Sequence, residues 1–521
     1  MKLAIAPKVL HAIALAVCVC TSSAALASAA PPKPGGGVAW VDAGSVAAVK
    51  SALTVASNAD KPVLLYWGAS WCPPCNQVKA TLFNRADFAA LSKSFVMVNV
   101  DGDKPGAQQV AQQYKVRGYP SMLVLGPRGE ELTRLPGEVD PERYLATMQL
   151  ALTSSTPVAR LAQTAAKGGT LTDAQWQQLA WYAWDIDEQQ LQGSESLPSL
   201  LEGLAAAAPQ GAVKDRLRLR AIVASAQDPK LSVAPAWVSA SRAQLLEILA
   251  SPARAASLNE LWVGYGEALA KALAPNAGAE RAALIAALDK PLAAYIASNN
   301  ISRSDLMDAW ASRMTLAKLE GASAKQASLG AAASAAAQQT VAASTDRYER
   351  QALVPAAAYV LAQAGDDAAA DALLTAELPR AVAPYYHMLV LGSNAKKRKD
   401  FATALVWYEK AWVQSQGAAT RAQWGSGYVN QLVDMAPLKS KQLEVAASKV
   451  LTEAIKGDLF YARTQRSVQR MASKVQNWAA GEADRALVAK RLDAVAQKQC
   501  KSLNGQADAQ KACESLRFSP I

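Results

Sequence analysis

The period of the hydrophobic pattern changes once along this chain, and the change divides it in two. From residue 38 to residue 154, short apolar runs such as Val63-Leu64-Leu65-Tyr66-Trp67 alternate with amphipathic stretches, as in mixed α/β folds. Helices are predicted over residues 44–56, from the cysteine pair at residue 72 onward, over 107–114 and over 141–152. Strands are predicted over 63–67, 95–100, 122–125 and 131–135, the last two joined through Gly126-Pro127-Arg128-Gly129 as a hairpin. Beyond Thr156 the strand-like alternation stops, and Ala, Leu, Gln and Arg recur at helical spacing to the C-terminus. Prolines such as Pro198, Pro235, Pro355 and Pro437 cut this part into helices of ordinary length. With 521 residues, 51% of them hydrophobic, the chain can bury more than one core. The expected fold class is therefore multidomain: an α/β domain over 38–154, then a large all-α domain of helical hairpins, a bundle or a solenoid. The Ala- and Ser-rich stretch 322–344 suggests a division of the latter into regions 158–345 and 346–521.

The N-terminus has the three parts of a secretory signal peptide, expected over residues 1–30: Lys2 and Lys8, an apolar run over 9–19, and Ala27-Ser28-Ala29 as the cleavage pattern. That run is shorter than the ~20 residues of a spanning helix. Residues 31–37, Pro31-Pro32-Lys33-Pro34-Gly35-Gly36-Gly37, have the composition of a linker. The net charge of +11 is spread along the chain without a basic stripe interleaved with aromatics, so no nucleic-acid partner is expected. The densest basic run, Lys396-Lys397-Arg398-Lys399, reads as a solvated loop between helices. Export to the periplasm is the expected localisation, and there cysteines meet an oxidising environment.

Six cysteines are too few to build a disulfide scaffold, and two histidines, His11 and His387, give no zinc cluster and no base beside a nucleophile. No metal is expected, and no cofactor beyond a redox-active Cys72–Cys75 disulfide. Trp71-Cys72-Pro73-Pro74-Cys75 follows a strand and opens a helix. Two cysteines on one helical turn can close a small disulfide, so one attacks a substrate disulfide and the other releases the mixed disulfide. Cys72 is the expected nucleophile, being the more exposed of the two and placed where free N–H groups and the helix dipole favour a thiolate. Cys75 is the resolving thiol. Pro73 and Pro74 preset the first turn but remove two N–H donors. Cys500 and Cys513 are expected to pair as a structural disulfide, worth ~3 kcal/mol for a loop of that length.

The WCxxC at a strand-to-helix junction, Tyr119-Pro120 before a later strand, the hairpin and the closing helix together resemble the thioredoxin superfamily. The segments 79–83 and 95–101 are most similar to the thioredoxin-like domains of periplasmic disulfide reductases. This resemblance covers 38–154. It implies a cis Tyr119–Pro120 bond against the disulfide, with the backbone of Tyr119 pairing with substrate and Trp71 shaping the surface around the cysteines. The sequence departs from the family at the buried Asp six positions before the first cysteine and at its Lys partner, which are Tyr66 and Met97 here. Solvent, or a carboxylate such as Asp101 or Glu138, is then the candidate proton acceptor.

Near the C-terminus, residues 365–374 and 398–407 superpose at a period of about 33, similar to tetratricopeptide repeats. Thiol–disulfide exchange on protein thiols and disulfides is the function implied, leaning to reductase or isomerase, with a membrane electron donor as a further partner. The helical domain would bind an unknown protein partner or substrate, or mediate oligomerisation. The alternative is a non-enzymatic chaperone or adaptor in which the thioredoxin fold serves as a docking platform.

Overall fold

The computed structural model describes residues 37–135, 141–186, 190–191, 193, 195–228, 234–321 and 323–520. The expected signal peptide, nearly all of the linker, and Glu138 lie outside these residues.

Five strands form one sheet: β1 (Trp40–Asp42), β2 (Val63–Gly68), β3 (Val96–Asp101), β4 (Ser121–Leu125) and β5 (Glu131–Leu135), in the order β1-β3-β2-β4-β5. β2 runs parallel to β3, with Tyr66 opposite Asn99, and antiparallel to β4, with Trp67 opposite Ser121. Every residue of β2 is buried, as a central strand covered on both faces requires. Five helices flank the sheet: α1 (Val46–Ala59), α2 (Pro73–Thr81), α3 (Ala86–Ser92), α4 (Ala107–Gln113) and α5 (Pro141–Thr153). The sequence pattern missed β1 and α3, which are three and seven residues long.

Because side chains alternate along a strand, β2 feeds two cores. Leu64 and Tyr66 join Val78, Phe83, Phe88, Tyr144 and Met148 in a core belonging to the α/β domain alone. Val63, Leu65 and Trp67 face Val49, Ala52 and Val110, and that cluster continues without a break into Val429, Val450, Phe460, Met471 and Leu492 of the C-terminal helices. The two regions share a core.

After α5 the described chain is helical. Two successive hairpins are built alike. Helix Arg347–Gln363 turns through Gly365 (φ 90°) and Asp366 into helix Asp367–Glu377; helix Pro384–Lys397 turns through Lys399 (φ 64°) and Asp400 into helix Phe401–Gln414. Each aspartate carboxylate accepts the N–H three residues on, from Ala369 and from Thr403. The Ala-rich stretch after residue 322 forms one helix, Ser323–Ala343, packed against both of its sequence neighbours through small residues such as Ala333 and Ala337. The basic run at 396–399 is not simply a solvated loop: it ends a helix, and Lys396 and Arg398 pair with Asp434 and Asp371 at 3.5 and 2.6 Å. Cys500 and Cys513 form a disulfide with Cα atoms 5.5 Å apart.

Arg350 grips the buried Glu377 carboxylate with two bonds of 2.8 and 2.7 Å while also donating to the carbonyls of Val341 and Ser344. Burial alone would raise the Glu377 carboxyl, but Arg350 and Arg380 outweigh it and hold it below its ordinary value. His387 is fully buried, and burial pushes its imidazole down to about 4, so it is a neutral packing residue at pH 7. Arg350→Met leaves a buried carboxylate with only the exposed Arg380 as its ion-pair partner and should destabilise the fold by about 3 kcal/mol in urea unfolding. Arg380→Met, which removes the exposed partner, should cost well under half of that.

Candidate functional site

The site begins with a helix start. Cys72 is the residue preceding α2, with extended backbone (φ −70°, ψ 117°), and Pro73 and Pro74 occupy the first two helical positions. The prolines contribute no N–H, so the first available donor is the Cys75 amide, 3.2 Å from Cys72 Sγ. Asn76 locks the turn below by donating its amide to the carbonyls of Ser70 and Cys72 at 2.8 and 2.9 Å. Cys72 and Cys75 form a disulfide with Cα atoms 5.2 Å apart. Tyr119 precedes Pro120 through a cis bond, and the Tyr119 ring stacks on Trp67 and meets Trp71 edge-on, with centroids 5.7 and 5.4 Å away.

The helical region lies on this site. Trp71, Cys72 and Cys75 share one apolar cluster with Ala383, Tyr385, Met388, Ala411 and Trp424. Trp71 stacks against Tyr386 at 6.2 Å and meets the Trp424 edge at 5.4 Å. Cys72 is consequently only 2% exposed and Cys75 fully buried. Cys72 is the more exposed of the two, as expected, but by little: later helices of the same chain cover the surface on which it lies. Pro74 remains exposed and Pro73 half-buried, at the rim.

Polar contacts fix the cover in place. The Asp103 carboxylate accepts the Thr420 backbone N–H and hydroxyl, both at 2.8 Å, and so caps helix Ala418–Met435 from another domain. Gly417 just before that helix has φ 87°, and a Cβ there would collide with the Asp103 carboxyl. Gln108 and Gln112 of α4 accept the backbone N–H groups of Arg463 and Ala462 at 3.2 and 3.4 Å. Gln77 of α2 donates to Ser302 and Asp305, both at 3.0 Å.

On β2, Tyr66 stands at the departure noted in the sequence. Its hydroxyl is buried and has no hydrogen-bond partner among the described residues, and burial followed by the Asp101 charge pushes the phenol far up. Met97 is buried in the same core. The charges absent from these two positions enter from neighbouring elements. Lys79 of α2 is held below its usual value by burial, with Asp101 at the end of β3 pulling the other way. Sequence reasoning reached Cys72, Cys75, Trp71, Tyr119 and Pro120; it missed Asp103, Tyr386, Trp424 and Arg463. These last three lie more than 300 residues downstream in helices with no local signature of a site.

Comparison with known proteins bears on this geometry. The family described as thioredoxin-like domain matches residues 49–152. This part of the chain is a thioredoxin-like domain. Among curated proteins, the thiol:disulfide interchange protein DsbD 2 of Pseudomonas aeruginosa is 34% identical over 91 residues, covering 17% of this chain and 16% of that protein. DsbD of Pseudomonas fluorescens is 33% identical over 105 residues, 19% and 18% of the two chains. The chain therefore spans under a fifth of the length of these relatives. A solution structure of a thioredoxin from Thermus thermophilus matches at 24% identity over 22% of this chain and 88% of that one, with a TM-score of 0.20.

Asp103 gives the cover a pH signature. Burial first, then the neighbouring Asp101, pushes its carboxyl from 3.8 up to about 6, against the hydrogen bonds from Thr420. Since the folded chain holds this proton more tightly than the unfolded one, stability falls as pH rises through that window and is level above it. Asp103→Asn does not titrate, so its melting temperature minus that of the wild type should increase between pH 4 and 6. Parallel melting curves of the two proteins across this range check the point.

Proposed function

We propose that this protein is an exported thiol–disulfide oxidoreductase acting on protein substrates in the periplasm, with no cofactor beyond its own disulfide. The observation that carries the reading is the Cys72–Cys75 disulfide on the first turn of α2, beside Tyr119 and Pro120, in a thioredoxin-like domain. In the reducing direction the Cys72 thiolate attacks a substrate disulfide, forming a mixed disulfide and expelling one substrate thiolate. Cys75 then attacks Cys72 Sγ, expelling the second, and the two electrons leave as a substrate dithiol while Cys72–Cys75 closes. A two-electron dithiol donor at the membrane would restore the reduced pair. Similarity to disulfide interchange proteins supports this lean towards reductase or isomerase activity.

The helical region acts in this reading as the cover of the redox site. A protein disulfide cannot reach a sulfur that is 2% exposed, so exchange requires the Tyr385, Tyr386 and Trp424 face to withdraw from Trp71. The same burial supports the second reading, an adaptor in which the thioredoxin fold docks the helices and performs no exchange.

Cys72→Ala should abolish reduction of a model protein disulfide, whereas Cys75→Ala should accumulate a mixed disulfide visible on non-reducing gels. Replacing Tyr386 and Trp424 together by Ala should speed alkylation of reduced Cys72 at least tenfold, an opening free energy lowered by about 1.4 kcal/mol. Full complementation of a deletion strain by the chain lacking both cysteines would establish the adaptor instead.

A further inference from the structure

We infer that Arg463, from the C-terminal helices, is a positioning residue of the redox pair whose charge favours the Cys72 thiolate. This rests on the reading of Cys72–Cys75 as an exchanging pair.

Arg463 lies on helix Ala462–Ala479, nearly four hundred residues from the cysteines, and its guanidinium carbon sits 5.1 Å from the Trp71 ring centroid and 4.4 Å from that of Tyr119. Trp71 is the residue before Cys72, Tyr119 the residue before Pro120, and both rings pack in the cluster that holds the two sulfurs. The backbone cannot drift, because the N–H groups of Ala462 and Arg463 both end on α4 through Gln112 and Gln108. The side chain is equally fixed: Nε donates to Gln423 Oε1 at 2.5 Å, and the tyrosine hydroxyl of residue 119 is its other polar neighbour.

These partners are neutral. Among the described residues no carboxylate forms an ion pair with Arg463, and burial makes its charge costly to hold, with Tyr119 and Asp103 only partly offsetting this. A desolvated cation between two aromatic faces gains from any anion that appears in the same enclosure. Opening the disulfide creates such an anion. Cys72, at a helix start whose first free N–H already points at its sulfur, is the thiol predisposed to ionise. The cation is thus only partly compensated in the disulfide form and more fully compensated in the reduced form, which stabilises the reduced form. Other charges act on the same space: Asp101 and Asp103 at and just beyond the end of β3, Asp308 near Tyr386, Lys79 on α2 and Arg466 on Arg463's own helix. Asp101 at the end of β3 and Asp103 just beyond it oppose a thiolate, so neutralising Asp103 should act in the sense opposite to neutralising Arg463. By linkage, whatever favours the thiolate when the cover is closed makes reduction favour closure to the same degree.

The experiment follows thiolate ultraviolet absorbance against pH in the full chain carrying Cys75→Ser, where Cys72 is free and Cys500–Cys513 stays oxidised. Arg463→Gln should raise the ionisation midpoint of Cys72 by about one pH unit, a tenfold loss of thiolate. Arg463→Lys should retain most of the parent value, and Asp103→Asn should lower the midpoint. An Arg463→Gln midpoint equal to the parent's, or an Arg463→Lys shift as large as that of Arg463→Gln, overturns the inference. Should Arg463→Gln fail to fold, Asp103→Asn decides: a midpoint unchanged or raised overturns it. In the otherwise unmodified chain, the same tenfold change should shift the equilibrium with a glutathione redox buffer by about 30 mV towards the disulfide. The midpoint needs no substrate. A shifted midpoint in a chain devoid of exchange activity removes the functional reading alone, and an unmoved midpoint in an active chain removes this inference alone.

Discussion

One face of strand β2 decides how this protein is built. In a free-standing α/β domain, Val63, Leu65 and Trp67 would meet only α1 and α4, whose outer surfaces would face water. Here the apolar cluster beneath them runs on through Val110 and Tyr114 to Val429, Phe460 and Met471. Burial of that continuous surface sets the two regions in a fixed relation, and about 1 kcal/mol from each added polar contact then specifies the register. The caps and clamps at Asp103, Gln108 and Gln112 are such contacts, each made by a side chain of the α/β domain to a backbone N–H at or near a helix start. They satisfy donors that a helix leaves free, so they cost the helices nothing in their own hydrogen bonding.

Closure of this seam brings the redox site into a different chemical setting. A cysteine on an exposed helix start is tuned by the helix and by water. Here water is replaced by Trp71, Tyr119, Tyr386 and Trp424, a wall of low polarity that strengthens every remaining charge. Desolvation disfavours a thiolate, and a cation in the wall favours it. The state of Cys72 in the closed chain is therefore set by groups from both ends of the sequence.

The legible part of the sequence was local. Val63-Leu64-Leu65-Tyr66-Trp67 followed by Cys72 and Cys75 announced a strand, a helix start and a redox pair, and the predicted strand ends fall within one residue of those observed. β1 escaped because three residues, two of them exposed, show no period; α3 escaped because seven residues make barely two turns. The weak repeat was legible but one residue out of register: it set Asp400 against Asp367, whereas the residue that caps the equivalent helix is Asp366. The cover was not legible at all. Tyr385, Tyr386 and Trp424 carry the same spacing as any core residue of a helix, and nothing in the pattern distinguishes an apolar side chain that packs on a neighbouring helix from one that packs on a disulfide.

The paired absence of charge at Tyr66 and Met97 shows how one substitution entails others. A lone buried carboxylate at residue 66 would need a cation, and Met97 provides none, so both positions became part of the apolar core with Phe83 and Leu64. Lys79 and Asp101 carry opposite charges close enough to feel each other at the foot of α2, yet they stand at the ends of their elements, where water is nearer than it is at the centre of the sheet. The carboxylate of this pair, Asp101, thus stands at the margin of the core, and the apolar residues at positions 66 and 97 leave the core between β2 and β3 without a charge of its own.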